Sequence, residues 1–342
     1  MIPLFKPYMS WRAGFYVLRT LYSGQLAEGK QVKQFEKEFG EKFGKKNVVA
    51  VNSGTSALEL AYELAGIKKG DEVITPVLTC TATNLPLVRR GAKIVFADID
   101  YDLNINIQDV KNKITKKTKA IVFVHFGGNN RGLKELQAIC KKNKIVLIED
   151  AAQAVGSDYW GVADYTCVSL QAIKILTSGD GGFLITKSTK DYEKAKRLRW
   201  FGIDREKKQK GIDVDVTEAG FKYHMSDITA SIGLANLRSI DKVIAHRKEL
   251  IKIYESYGLQ ANMWLTRGVG DVNNAKKLFK NYGFAVGDHH YRNDKYSVFG
   301  GRQKKTPIMD ELEGNFFFVP NHYGVSLSDA QKIGKIYESI QR

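Results

Sequence analysis

The chain has 342 residues, 43% of them hydrophobic and 26% charged, a balance that excludes intrinsic disorder and collagen-like repeats. Its 53 basic and 37 acidic side chains leave a net charge of +16, which favours anionic partners and equally suits a solvated surface. No apolar run nears the ~20 residues of a membrane span, and three scattered cysteines (Cys80, Cys140, Cys167) exclude a disulfide framework or a zinc site.

Val32, Phe35, Phe39 and Phe43 recur at helical spacing over residues 31–44, and Gly44 can close that helix. A strand at Val48–Val51 leads through Asn52-Ser53-Gly54-Thr55-Ser56 into a helix at Ala57–Ala65. Further strands are expected at Glu72–Ile74, Lys93–Phe96, Ala120–Val124, Ile145–Ile148, Thr166–Leu170 and Gly182–Thr186. Helical patterns fill the gaps at Thr83–Arg90, Leu133–Asn143 and Tyr192–Trp200. Ile121–Val124 and Ile145–Ile148 are wholly apolar, as strands are when helices cover both sheet faces, so this part is a mostly parallel α/β domain. From Met225 to about Ser256 the pattern predicts one long helix. The last 85 or so residues carry short elements and a final helix at Ser328–Gln341, where Ser328 and Asp329 offer capping chemistry. Residues 1–240 are assigned to a large domain and 241–342 to a small one.

Three places could carry chemistry. Ser53–Ser56 lies between a strand and a helix, where free N–H groups and hydroxyls form either a phosphate cradle or an ordinary N-cap. It is not a Walker loop, because no Gly-Lys-Ser/Thr follows. Asp150 ends an apolar strand, at the sheet edge where open α/β folds bind ligands, or else caps the turn that follows. Lys174 sits among Ile173, Ile175 and Leu176, either snorkelling or as a desolvated amine able to form Schiff bases. Taken together, a cradle, a carboxylate and a lysine 24 residues beyond it are the parts a pyridoxal phosphate site needs.

The chain resembles the DegT-type nucleotide-sugar aminotransferases, pyridoxal-phosphate enzymes of the fold type I aspartate aminotransferase superfamily. The resemblance rests on SGTSALELA (53–61), GDEVITP (70–76), GAKIVFADID (91–100), KTKAIVFVH (117–125), EDAAQAVGS (149–157) and SLQAIKILTSGDGG (169–182). It implies a mostly parallel seven-stranded sheet flanked by helices, with a smaller C-terminal α+β domain. Residues 257–290 are shorter than in most relatives, which implies a trimmed small domain. Lys174 would carry the cofactor, Asp150 would pair with its ring nitrogen, and Gln153 would lie near its phenolic oxygen. Gly54, Thr55, Ser56 and Ser169 would hold the phosphate. Cys80 stands where relatives stack an aromatic ring on the cofactor. Lys222-Tyr223-His224-Met225 replaces an Asn-Tyr-Arg-Met motif whose Asn reaches the neighbouring subunit's phosphate, so Lys222 is assigned that contact. His224, Arg292 and His322 are assigned to substrate; for the segments around Arg292 and His322, a turn held by polar contacts is the alternative.

The resemblance implies a homodimer with composite sites, moving an amino group from glutamate to a nucleotide-linked keto-sugar, with a 4-keto-6-deoxyhexose leading. The rivals are a 3-keto-sugar aminotransferase, a dehydratase on the same scaffold, and a non-catalytic basic binding protein. Relatives of the dehydratase branch carry histidine where Lys174 stands, which favours transamination. No finger or aromatic single-strand platform accompanies the basic residues, so no nucleic-acid partner is expected. No metal is expected, and the opening residues lack a signal-peptide core, so the expected location is cytoplasmic.

Overall fold

The computed structural model describes residues 1–302 and 304–341. Two helices, α1 (Ala13–Leu21) and α2 (Lys30–Phe43), precede the first strand, β1 (Val48–Val51). On α2 the phenylalanine spacing does what it predicts: Val32, Phe35 and Phe39 are buried, and Gly44 ends the helix at φ 62°, in the left-handed region where glycine is unstrained. Then follow α3 (Gly54–Leu64), β2 (Glu72–Pro76), α4 (Thr81–Arg89), β3 (Lys93–Ala97), α5 (Ile107–Lys113), β4 (Thr118–Val124), α6 (Leu133–Asn143) and β5 (Val146–Asp150). The large domain continues through β6 (Tyr165–Ser169), β7 (Gly182–Thr186), α7 (Thr189–Leu198) and α8 (Arg205–Gln209).

The seven strands form one sheet in the order β1-β7-β6-β5-β4-β2-β3. Only β7 runs against its neighbours among the described residues; the rest are mutually parallel. Alternate residues of β1 show why such strands are apolar throughout. Val48 and Ala50 face the cluster containing Phe35 and Phe39 of α2, whereas Val49 and Val51 face Ala57 and Leu58 of α3. Parallel strands end at a common edge, so the end of β5 (Asp150), the end of β6 (Ser169) and the start of α3 converge there.

The stretch expected as one helix is two, α9 (Asp227–Leu237) and α10 (Ile240–Ser256). Asn236 explains the break: its amide donates to the Thr177 carbonyl (2.7 Å) and its Oδ1 accepts from the Ser10 backbone (2.7 Å). These contacts fix the end of α9 inside the large domain, and the chain turns through Arg238 and Ser239 before α10 begins. Helix α9 packs closely on α2, since a Cβ at Gly233 would lie 2.3 Å from the Phe35 ring.

The smaller domain follows with β8 (Gln260–Ala261), β9 (Thr266–Val269), α11 (Val272–Asn281), α12 (Pro307–Leu312), β10 (Phe316–Val319) and α13 (Leu327–Gln341). Its antiparallel sheet, ordered β10-β9-β8, packs with Leu250, Tyr254, Phe279, Ile333 and Tyr337 in a separate core. The cap of α13 differs from expectation. Ser326, not Ser328, accepts from the Asp329 N–H (3.0 Å), and Asp329 accepts in return from the Ser326 hydroxyl (2.6 Å). The opening segment is held by the small domain: the Ile2 N–H donates to the Gly283 carbonyl (2.8 Å), and His322 Nε2 donates to the Pro3 carbonyl (2.9 Å).

Candidate active site

At the edge where β5 and β6 end, a cleft of about 380 Å³ is lined by Gly54, Thr55, Cys80, Asp150, Gln153, Ser169 and Lys174, with His289 and His290 closing one side. A larger cleft of about 600 Å³ lies beside α2 and α7, but its Arg199 is already matched by Glu28 and Glu36. Chemistry, not size, separates the two.

Lys174 lies on the tight turn after β6, where its N–H donates to the Gln171 carbonyl (2.9 Å) and the Ser178 N–H donates back to Leu170 (3.0 Å). Its side chain opens into the cleft while protein surrounds it on the other sides. Burial lowers its pKa from 10.5 to about 8, against the opposing pull of Asp150 and Cys80. An amine of that kind is neutral often enough near physiological pH to attack a carbonyl.

Asp150 is 5% exposed at the end of β5. Its Oδ2 accepts from the Thr83 hydroxyl (2.7 Å) and its Oδ1 from the Ala152 N–H (3.2 Å). The Thr83 and Thr79 hydroxyls are themselves 2.9 Å apart, so a polar relay holds the carboxylate from behind. The sequence reading missed both threonines; their spacing of four across the start of α4 is the signal that could have found them. Glu149, the adjacent residue, has another fate. It is fully buried and accepts from the Gly161, Val162 and Ala163 N–H groups (2.7 Å each), and it meets His125 Nε2 at 2.8 Å.

Helix α3 begins at Gly54, three residues earlier than expected, with Ser53 as N-cap accepting from the Ser56 N–H at 3.0 Å. Cap and cradle are therefore compatible here. The Ser56 hydroxyl is taken up by Asn52 Oδ1 (2.6 Å) and Ser53 Oγ (2.9 Å), which leaves Thr55 and the helix N-terminus facing the cleft. A Cβ at Gly54 would sit 2.8 Å from the Ser169 Cβ, so the helix start and the end of β6 approach as only glycine permits. Gln153 Oε1 accepts from the Gly127 N–H (2.6 Å), and its Nε2 lies 3.4 Å from His290 Nε2. Cys80 starts α4 at the cleft wall, with burial raising its thiol pKa.

His289 and His290 have ring centroids 3.8 Å apart. Burial pushes His289 down to about 3 and His290 well below its ordinary value, so both imidazoles are neutral. His290 adopts φ 63°, an uncommon left-handed conformation for a non-glycine residue. Composition gave no reason to single out His289.

Four sequence candidates are placed elsewhere within the chain. Lys222 is exposed, and its backbone carbonyl accepts from Asn52 Nδ2 (3.3 Å). His224 packs against Trp200 with centroids 4.1 Å apart, and burial lowers its pKa. Arg292 is 2% exposed, with its guanidinium occupied by Asp294, Asp310, Glu313 and the Thr306 hydroxyl, so the alternative of a turn held by polar contacts describes it. His322 likewise uses both ring nitrogens internally, donating to Pro3 and accepting at Nδ1 from the Gly324 N–H (3.1 Å).

A mostly parallel seven-stranded sheet with one reversed strand, a lysine after β6, a carboxylate ending β5 and an anion-ready helix start define a fold type I pyridoxal-phosphate-dependent transferase. Within that class, the chain belongs to the DegT/DnrJ/EryC1/StrS aminotransferase family, whose model matches residues 13–274. It is 35% identical to the GDP-perosamine synthase of Vibrio cholerae over 75% of this chain and 70% of that protein. It is 38% identical to the spore coat polysaccharide biosynthesis protein SpsC of Bacillus subtilis over 70% of this chain and 64% of that one. Among solved structures, sugar aminotransferase CalS13 from Micromonospora echinospora superposes with a TM-score of 0.93 at 30% identity, covering 99% of this chain and 100% of that chain. Among the described residues, no helix is long and apolar enough to cross a membrane.

Proposed function

We propose that this protein transfers an amino group from glutamate to a nucleotide-linked keto-sugar, with a 4-keto-6-deoxyhexose as the leading substrate and a 4-amino sugar for a glycan as the product. The observation that carries the reading is the meeting of Lys174, Asp150 and the start of α3 in one cleft. The residues present fit pyridoxal phosphate. The unspent N–H groups of α3, with Thr55 and Ser169, suit a phosphate, and the Gly54 approach leaves no side chain in the way. Bound there, the cofactor supplies an electron sink for the carbon that loses a proton. Lys174 would hold it covalently and, once freed, carry the proton between donor or sugar carbon and cofactor. Asp150, fixed by Thr83, would keep the ring nitrogen protonated by its negative charge. Gln153 would orient the phenolic oxygen.

The names of the relatives, one a synthase of GDP-perosamine and one a protein of polysaccharide biosynthesis, support an activated sugar as acceptor. The exposed Lys222 suits a homodimer in which it meets the neighbouring subunit's phosphate, with His224 beside it, and the proposed location is the cytoplasm. The test is a panel of nucleotide-linked 3- and 4-keto-sugars incubated with glutamate and the holoenzyme. Mass spectrometry should find an amine replacing one oxo group. Deoxygenated products without nitrogen would instead identify a dehydratase.

A further inference from the structure

The amine of Lys174 lies 4.1 Å from the centre of the Trp264 ring, a residue that belongs to the segment between β8 and β9 rather than to the cofactor domain. Trp264 is 1% exposed, and its orientation is fixed from three sides. Its indole N–H donates to the carbonyl of Ile173, the residue before Lys174, at 3.2 Å. Phe5 stacks on it at 5.2 Å with planes 18° apart, and His289 meets it edge-on at 5.0 Å. Its backbone N–H donates to the Gly127 carbonyl (2.9 Å), and the Gly127 N–H in turn holds Gln153.

We infer that Trp264 is a positioning residue for the transamination proposed above: its indole face is the seat that the Lys174 ammonium occupies whenever that amine is not bound to cofactor. The physical basis is the attraction of a cation to the negative face of an indole, which is strongest where water is excluded. Burial disfavours the ammonium, and the ring partly offsets this without supplying a carboxylate that would trap the lysine in an ion pair. The amine thereby stays charged often enough to deliver a proton and free enough to return to a carbonyl. The indole N–H bond ties the seat to the lysine's own turn, so the two move together. The titratable groups facing Lys174 are Asp150 at the end of β5, Cys80 at the start of α4, Asp180 before β7, and His289 and His290 after α11. The two histidines are neutral, so among these groups the attraction comes from Asp150 and then Cys80, and Trp264 adds to it from the opposite domain.

The inference rests on Lys174 being the cofactor lysine, but its test uses the apoprotein and needs no turnover. Reductive methylation with ¹³C-formaldehyde labels the lysines, and Lys174→Arg identifies the Lys174 signal by NMR. In the unmutated protein that signal should be displaced upfield by the indole ring current. In Trp264→Leu the displacement should vanish and the titration midpoint fall by about half to one and a half pH units. Trp264→Phe, which keeps a weaker face, should fall between. An undisplaced Lys174 signal in the unmutated protein, or a midpoint unmoved in the variants, overturns the proposal. The first outcome needs no variant, so a Trp264→Leu protein that fails to fold leaves the proposal testable. Failure of the cofactor reading is seen separately, as a pyridoxyl label on a residue other than Lys174 after borohydride reduction of the holoenzyme.

Discussion

The Arg292 cluster and the Lys174 cleft are both built from buried charge, and they differ in how completely that charge is matched. Around Arg292, two aspartates, a glutamate and a threonine hydroxyl occupy the guanidinium, and nothing is left over for a ligand. In the cleft, Lys174 meets an aromatic face, while Asp150 is held by one hydroxyl and one N–H. Glu149 and Asp150 repeat the contrast at adjacent positions, one carboxylate consumed by the fold and the other facing the cleft. Matched charge secures a loop; incompletely matched charge remains available for chemistry.

The largest break in this comparison is Lys174→Ala. It should leave a folded protein that binds pyridoxal phosphate without covalent attachment and loses on the order of 10³-fold or more in turnover. Borohydride reduction and peptide mapping check the attachment, with no pyridoxyl peptide expected. Asp150→Asn comes next. The amide keeps the shape and can still meet Thr83, but the missing charge should lower turnover on the order of 10²-fold while cofactor still binds. Steady-state kinetics beside a cofactor titration separate the two effects, and full activity would remove Asp150 from its role.

On the matched side, Arg292→Met should act on stability. It strands Asp294, and with Asp310 and Glu313 about a third exposed the loss should lie near the low end of the range for a broken buried pair, about 3 kcal/mol. Denaturant unfolding measures this, and activity per folded molecule should survive at low temperature. The smallest effect sharpens the cleft itself. Because Lys174 titrates near 8 in the folded protein and a free lysine near 10.5, its trapping of an aldehyde should rise to half its plateau near pH 8. The unfolded chain binds more protons than the native one between these values, so this residue's contribution makes stability increase as pH rises from about 8 towards 10.5.

The sheet was legible because strands buried on both faces have no polar alternation to confuse them, and the strand expectations lie within about two residues at each end. The cleft's own parts were legible for a related reason: Ser53–Ser56 follows β1, Asp150 ends β5 and Lys174 lies in the turn after β6, at the edge where the fold brings them together. What escaped was set by contacts distant in sequence. The break between α9 and α10 depends on Asn236 reaching Thr177 and Ser10. Strand β8 has two residues and β9 begins Thr266-Arg267-Gly268, too short and too polar to announce a sheet. Helices α1 and α5 were also missed. The resemblance assigns Arg292 to substrate, with a turn held by polar contacts as the alternative, and local sequence does not decide between them because Asp310 and Glu313 lie 18 and 21 positions away. Trp264 reads as an ordinary core aromatic until the two domains are assembled.

The way the first few residues are tied down bears on how the protein is made. Pro3 is held by His322, 319 positions later, and Ile2 pairs with Phe284. At ribosomal rates of about 5–20 residues per second, on the order of 15–60 s pass between the synthesis of Pro3 and that of its partner. The strands of the sheet are all complete by Thr186, whereas Phe5 meets its ring partners only once Trp264 and His289 have been made. The reactive lysine of the large domain is therefore synthesised well before Trp264, His289 and His290, which complete its surroundings.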